Sequence, residues 1–453
     1  MKSNKKNILL FHLFVSYVLF ISLLILIGSG LGRLESYLAV LFSATLSILY
    51  LAYKFNRLFE INIMISAIVG FSVKLLIGYM FWEFYMWPDY FSSQNTSIAF
   101  DHYEYLYTHN NIEKIAEYRI DNGFFTILPI EYLLEQGKYL FINYILSNLY
   151  MSGNSNLLDF SVQNTLFSFY TAVIISLIAM GFGTTKSQTK VIFIISLFQP
   201  FSFISTMIWR DVVGQFFVMF GVYLLLLSFN SRMIKSIVIL ATSSLSMALL
   251  RSVYVFIPVL LYALMYFKGG MASFKRSSIF LALIVLVAFA IYETNLIVFV
   301  ETGYSSYLSS VNIITFILSL PINYVRSLIG PFPWINWFEF NDNTIFLLGN
   351  YLQAVYVLVI IYFTAKYYKS CASDFKFYIV LFCFILLTMS LVISDTHSEY
   401  FTFAAALMLP ISAKYLTIRR FIFSYYMVFT GFIMLNIIYV SLGLHGAGLG
   451  VNL

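Results

Sequence analysis

The sequence predicts an all-α fold: a polytopic membrane protein of about thirteen transmembrane helices with two long loops on one side. Three observations predict it. Hydrophobic residues make up 61% of the 453 and charged residues 10%, whereas a water-facing domain carries roughly 25% charge. Mean hydropathy is +0.87. The apolar residues are gathered into runs, most of them long enough to cross a hydrocarbon core as helices, whose backbone groups are satisfied internally. Lys and Arg fall mainly in alternate gaps between those runs, as the insertion bias requires. No internal repeat and no low-complexity stretch interrupts the pattern, so 1–453 reads as one integral membrane domain.

The runs cover 8–28, 37–53, 61–82, 160–182, 191–209, 212–229, 234–250, 252–267, 278–299, 345–365, 376–394, 401–415 and 421–442. The first follows Lys2, Lys5 and Lys6. It is long and has no small-x-small cleavage site, so it reads as an uncleaved helix. The runs 252–267 and 401–415 are short for a span, which predicts tilt, extension into the interface or partial re-entry.

With the N-terminus in the cytoplasm, seven inward segments are basic. They carry Lys54 and Arg57, Lys186 and Lys190, Arg232 and Lys235, Lys268 and Lys275, Lys366 and Lys369, and Lys414, Arg419 and Arg420, besides the N-terminal lysines. Only Glu60 and Asp374 are acidic there. The net charge of +6 is therefore a topology signal and not a nucleic-acid footprint. Cys371 and Cys383 have neither metal-ligand nor disulfide spacing. No Walker-type glycine loop, His/Cys metal cluster or Gly-x-Ser-x-Gly elbow is present, which disfavours ATP-driven transport and serine-hydrolase chemistry.

The outer side holds the loops 83–159 and 300–344 and most of the carboxylates. It also holds Arg33, Lys114, Arg119, Lys138, Arg210, Arg251 and Arg326, against the insertion bias. In the first loop, 100–109 and 130–145 have the mixed apolar and polar spacing of helices lying at the interface, and Asn122-Gly123 and Gly153-Asn154 are turn signals. In the second, 313–334 is apolar enough to enter the membrane, but spanning there would invert every later basic segment. An interfacial or re-entrant helix ending at Gly330-Pro-Phe-Pro-Trp334 is expected.

Topology brings four charged groups to this face: Arg210-Asp211, Arg251, Arg326 and Asp395-Thr-His-Ser-Glu399. A guanidinium is permanently charged and grips phosphate oxygens through a two-pronged fork. Arginines at the outer interface suit a lipid-linked diphosphate, and a carboxylate or His397 suits general-base work on a sugar hydroxyl. Each group also has a plainer reading. Arg210-Asp211 fits a cap in a tight turn. Arg251 lies in an apolar stretch with no acid beside it in sequence, Arg326 follows Pro321 and precedes Gly330-Pro-Phe-Pro-Trp334, and His397 fits a solvated loop. Lys74 and Glu293 lie within spans and fit pairing as well as function.

Four stretches carry a resemblance to the bacterial O-antigen polymerases (Wzy-like oligosaccharide repeat-unit polymerases). Ser196-Leu-Phe-Gln-Pro-Phe-Ser-Phe-Ile-Ser-Thr-Met-Ile-Trp-Arg-Asp211 resembles their proline-containing span that ends in a basic–acidic pair. Leu249-Leu-Arg251 and Leu320-Pro-Ile-Asn-Tyr-Val-Arg-Ser-Leu-Ile-Gly-Pro-Phe-Pro-Trp334 resemble two later segments. The first outer loop with Asp101 and Tyr103 is similar to the start of related membrane glycosyltransferases. Where the family has lysine before the aspartate, this chain has Arg210.

The resemblance implies transfer of a growing glycan from undecaprenyl diphosphate to a new lipid-linked repeat unit, at the periplasmic face of the bacterial inner membrane. It implies no nucleotide sugar, cofactor or metal, and it implies a flippase and a chain-length regulator as partners. Arg210, Arg251 and Arg326 would hold the diphosphate. Asp101, Asp211 or His397 would be the base, and Trp334 and Trp337 would stack on sugars. Two other functions share parts of this pattern. A glycosyltransferase using a polyprenyl monophosphate sugar would set Asp101 and Glu104, three apart, on one helical face around a metal. A flippase for the lipid-linked unit would more often show repeated halves and short loops.

Overall fold

The computed structural model describes residues 2–27, 33–81, 112–123, 126, 128–129, 140–152, 157–200, 210–228, 242, 328, 344–367 and 401–442. Every regular element among the described residues is a helix. In chain order they are α1 (Lys2–Ile27), α2 (Arg33–Phe59), α3 (Met64–Phe81), α4 (112–122), α5 (Leu140–Met151) and α6 (Leu157–Gly181). They continue with α7 (Lys186–Leu197), α8 (Arg210–Ser228), α9 (Thr344–Tyr367), α10 (Phe401–Ser412) and α11 (Ile418–Ser441). Four of them, α1, α2, α6 and α11, are long and apolar enough to cross a membrane, while α3, α8 and α9 carry shorter apolar stretches.

Helix α6 is the hub, packing against α2, α3, α5, α7, α8 and α10. Helices α1–α2 and α9–α10 pair beside it, and α11 rests on α9. Phe160, Phe169 and Tyr170 of α6 and Phe193 of α7 are among the largest fully buried side chains of the described residues. Gly70 on α3 permits a close approach to α7, since a Cβ there would stand 2.5 Å from Leu197 Cδ2.

The helix ends are set locally. Glu60 ends α2 in a left-handed conformation (φ 56) with its N–H on the Asn56 carbonyl, 2.6 Å. Asn62 Oδ1 then accepts the Met64 N–H that opens α3, 3.1 Å. Gly183 (φ 79) closes α6, and Thr185 with Gln188 forms a capping box that starts α7. Of the 191–209 run, expected to be one span, the part up to Leu197 lies on α7, and 201–209 lie outside the described residues. Pro200 has no N–H to continue the ladder. Twelve residues of helix rise only about 18 Å, too short for a span on its own.

Contacts between distant segments place Lys6, Glu60, Gly181, Lys186, Lys414 and Tyr367 at one end of the bundle. Lys186 binds Glu60, Gln188 Nε2 donates to the Lys414 carbonyl at 3.3 Å, and Tyr367 stacks on Tyr415 at 3.9 Å. The described members of the inward segments inferred from charge are thus gathered at one end. The starts of α2, α6 and α9 lie at the other.

Runs 234–250, 252–267, 278–299 and 376–394 lie outside the described residues, Thr242 excepted. The remaining runs fall on described helices, 191–209 only as far as Leu197. In the second loop, Leu328 is helical and packs partly buried on the core. Of the interfacial helix expected over 130–145, residues 130–139 lie outside the described residues. Helix α5 runs Leu140–Met151 and is buried against α1 and α6, with Asn143, Ser147 and Asn148 inside.

A buried polar layer as the candidate functional site

The polar side chains of α6 are the starting point. Asp159, Ser161, Gln163, Asn164, Thr165, Ser168 and Thr171 are all buried. Helix α6 is enclosed by neighbours, so these side chains face protein rather than lipid. Thr165, Ser168 and Thr171 bond back to carbonyls three or four residues earlier, the local solution for a hydroxyl in a helix. Asp159 and Ser168 are joined to neighbouring helices. Ser36 Oγ on α2 donates to Asp159 Oδ2 at 2.7 Å. Lys74 Nζ on α3 donates to Ser168 Oγ at 2.6 Å, and Lys74 is fully buried. Deeper, Tyr170 OH meets Ser16 Oγ at 3.1 Å and Ser47 Oγ at 3.5 Å, joining α1, α2 and α6.

The first outer loop adds a second buried cation. Helices α4 and α5 form an antiparallel hairpin tied at both ends. Tyr150 OH donates to Glu113 Oε1 at 2.5 Å, and Tyr144 OH donates to the Thr126 carbonyl at 3.4 Å. Between them the Arg119 guanidinium donates to the Tyr144 carbonyl (2.9 Å), Ser147 Oγ (2.5 Å) and Asn148 Oδ1 (2.8 Å), and lies 3.9 Å from the Tyr144 ring centroid. Asn148 Nδ2 in turn donates to Tyr17 OH on α1, 3.0 Å. Burial lowers the Arg119 pKa, yet a guanidinium stays charged. The hydrogen bond to Glu113, with burial, raises Tyr150 to about 12, so it remains a donor at neutral pH.

Helix register puts these groups near one level. Gln163 Nε2 faces the Ile145 carbonyl of α5 at 3.5 Å, about 9 Å below the start of α6 at 1.5 Å per residue. Phe216 on α8 packs on Phe167 and Tyr170, with ring centroids 5.4 and 6.0 Å apart. Arg210, the first residue of α8, stands six residues before Phe216, about 9 Å along the helix. With α8 running in the direction of α6, that is the level of Ser161–Asn164, roughly one to two turns below the top of α6. Gln215 and Gln199 exchange amide hydrogen bonds at 2.8 and 3.4 Å one turn further in, locking the start of α8 to the end of α7.

The chain matches no protein-family model, no curated protein and no solved structure. The site's chemistry therefore rests on its own side chains.

Of the residues singled out by sequence, Arg210 and Asp211 form the first turn of α8. Asp101, Arg251, Arg326, Trp334, Trp337 and His397 lie outside the described residues, as do Asp395, Glu399, Glu104 and Glu293. The pair was weighed as a cap in a tight outer turn and as part of a site, and its backbone forms the start of α8. Arg119 and Asp159 were not singled out as site residues. A signal for Arg119 was present: Ile112, Ile115, Ala116 and Arg119 follow the i, i+3, i+4, i+7 stripe of one helical face, and all four are buried. No group of three or more His, Cys, Asp or Glu side chains with metal-site geometry occurs among the described residues.

Proposed function

We propose that this protein is a membrane glycan polymerase that joins polyprenyl-diphosphate-linked oligosaccharide units at the outer face of a bacterial inner membrane. In this reading about thirteen helices span the membrane, and the N-terminus is cytoplasmic. The observation that carries it is that Arg210-Asp211 form the first turn of α8, a helix packed on the buried polar helix α6. A helix start presents backbone N–H groups and the positive end of a dipole, which favour an anion. An arginine there adds a two-pronged phosphate ligand.

A lipid-linked diphosphate has its charge directly above its apolar tail, which suits a site roughly one to two turns inside the outer end. Arg210, with Arg251 and Arg326, holds the diphosphate and stabilises charge on the departing diphosphate oxygen. Asp101, Asp211 or His397 takes the proton of the acceptor hydroxyl. Trp334 and Trp337 stack on sugars. The glycosidic bond to the donor lipid breaks as the bond to the acceptor forms, and the lipid diphosphate leaves.

Electrophoresis of surface glycan from a chromosomal deletion tests this. The expected result is core capped with at most one unit, restored to long ladders by the wild-type gene but not by Arg210→Ala or Arg251→Ala present at normal level in the membrane. Normal ladders from both variants would overturn the site. Loss of even the single capped unit would indicate a flippase instead.

A further inference from the structure

A second charged cluster stands at the opposite, basic end, and the polymerase reading does not use it. Tyr367, in the last turn of α9, stacks on Tyr415, in the turn between α10 and α11, with centroids 3.9 Å apart and planes 12° from parallel. Three cations border this pair. Lys366 Nζ lies 5.6 Å from the Tyr367 ring and 5.5 Å from the Tyr362 ring, and donates to Tyr362 OH at 3.2 Å. Lys414 Nζ lies 5.5 Å from the Tyr415 ring. Arg420 Nη1 donates to the Tyr415 carbonyl at 3.1 Å. Helix α7 braces the turn through Gln188 and the Lys414 carbonyl. All three cations are exposed, while the tyrosine rings are partly buried. Among the described residues at this end the one carboxylate is Glu60, which is held by Lys186.

We propose that Lys366, Lys414 and Arg420, set around the Tyr367–Tyr415 stack, form a binding site for the headgroup of an anionic phospholipid in the adjoining leaflet. Tyrosine is amphipathic and settles at headgroup depth, its ring toward the acyl chains and its hydroxyl toward the phosphate. The cations bring three positive charges to that depth. Each basic residue near an anionic membrane surface adds attraction that salt screens within about a Debye length. This site stands independently of the proposed reaction.

Native mass spectrometry of the full-length protein, purified in detergent and titrated with phosphatidylglycerol or phosphatidylcholine, tests it. Wild type should retain phosphatidylglycerol over phosphatidylcholine. Lys366→Ala/Lys414→Ala/Arg420→Ala should weaken that retention by about tenfold or more, and Lys54→Ala/Arg57→Ala at the same end should leave it within about twofold. Because Arg420 also braces the turn, Lys366→Gln/Lys414→Gln is measured alongside and should weaken retention about fivefold or more. Unchanged retention in the lysine pair, or equal loss in the Lys54/Arg57 control, would overturn the assignment. Retention of inorganic phosphate by lipid-free protein would show a soluble-anion site and would also overturn it.

Discussion

Helices α6 and α11 are nearly the same length, 25 and 24 residues, and both are apolar enough to cross a membrane. Their surroundings are opposite. Helix α6 is buried along almost its whole length and packs on six neighbours, whereas Asn436 is the only buried residue of α11 among the described residues. The contrast follows from polar content. Lipid tails are as apolar as leucine, so a leucine gains little by leaving lipid for protein, while a carboxylate, amide or hydroxyl gains a partner. Helix α6 carries Asp159, Gln163, Asn164 and a ladder of hydroxyls, and so belongs inside. Helix α11 shows Ile422, Phe423, Tyr426, Met434 and Ile438 outward and needs nothing more than a grip on α9. That grip comes from Tyr351 OH on the Phe429 carbonyl (3.1 Å) and Tyr425 OH on the Leu352 carbonyl (3.0 Å).

The largest effect that would sharpen this comparison lies in the polar layer. Arg119→Ala leaves the Tyr144 carbonyl, Ser147 and Asn148 without their common donor. It should cost about 3 kcal/mol or more in a denaturing-detergent unfolding titration. An Arg119→Ala protein as stable as wild type would mean that the hairpin is not anchored by this clasp. Next comes aromatic packing. Phe169 on α6 meets Phe193 on α7 edge to face at 6.0 Å. Phe169→Ala should cost on the order of 2 kcal/mol, less than in a water-soluble core because lipid takes up part of the transfer term.

At Gly70, alanine should cost about 1–3 kcal/mol by overpacking against Leu197, and adding Leu197→Ala should return most of it. A rescue that fails would place the strain elsewhere. The smallest effects belong to α11. Phe423→Ala on its exposed face should fall within about 0.5 kcal/mol. Thr417→Ala, which removes the side-chain cap on the Arg420 N–H (3.2 Å), should cost about 1 kcal/mol. If Phe423→Ala costs as much as Phe169→Ala, the contrast between the two helices is broken.

Among the described residues the helical class, the positions of most apolar runs and the gathering of basic segments were legible in the sequence, because mean hydropathy and charge alternation are properties of the chain alone. Tertiary partners were less legible. Lys74 stood out as a cation within a span, but nothing local identified Ser168, 94 residues away, as its partner. The segment 130–145 looked interfacial because Glu131, Glu135, Gln136 and Lys138 sit among its apolar residues. From Leu140 the described helix α5 carries the neutral Asn143, Ser147 and Asn148, all buried. Arg119 was read only as one of the basic residues on the outer side, although its place on an apolar stripe announced burial. The depth of Arg210-Asp211 needed the ring contacts of Phe216, which set the register of α8 against α6.

The most direct test of the proposed reaction uses purified protein in lipid nanodiscs, supplied only with the undecaprenyl-diphosphate-linked repeat unit extracted from a strain lacking this gene. Polymer length is read by mass spectrometry, and released undecaprenyl diphosphate is counted for each bond formed. The account predicts multi-unit glycan from wild type, one lipid diphosphate released per joined unit, and at least about a hundredfold loss in Arg210→Ala, the scale expected when a group stabilising transition-state charge is removed. Full polymer from Arg210→Ala, or none from folded wild type, would contradict it.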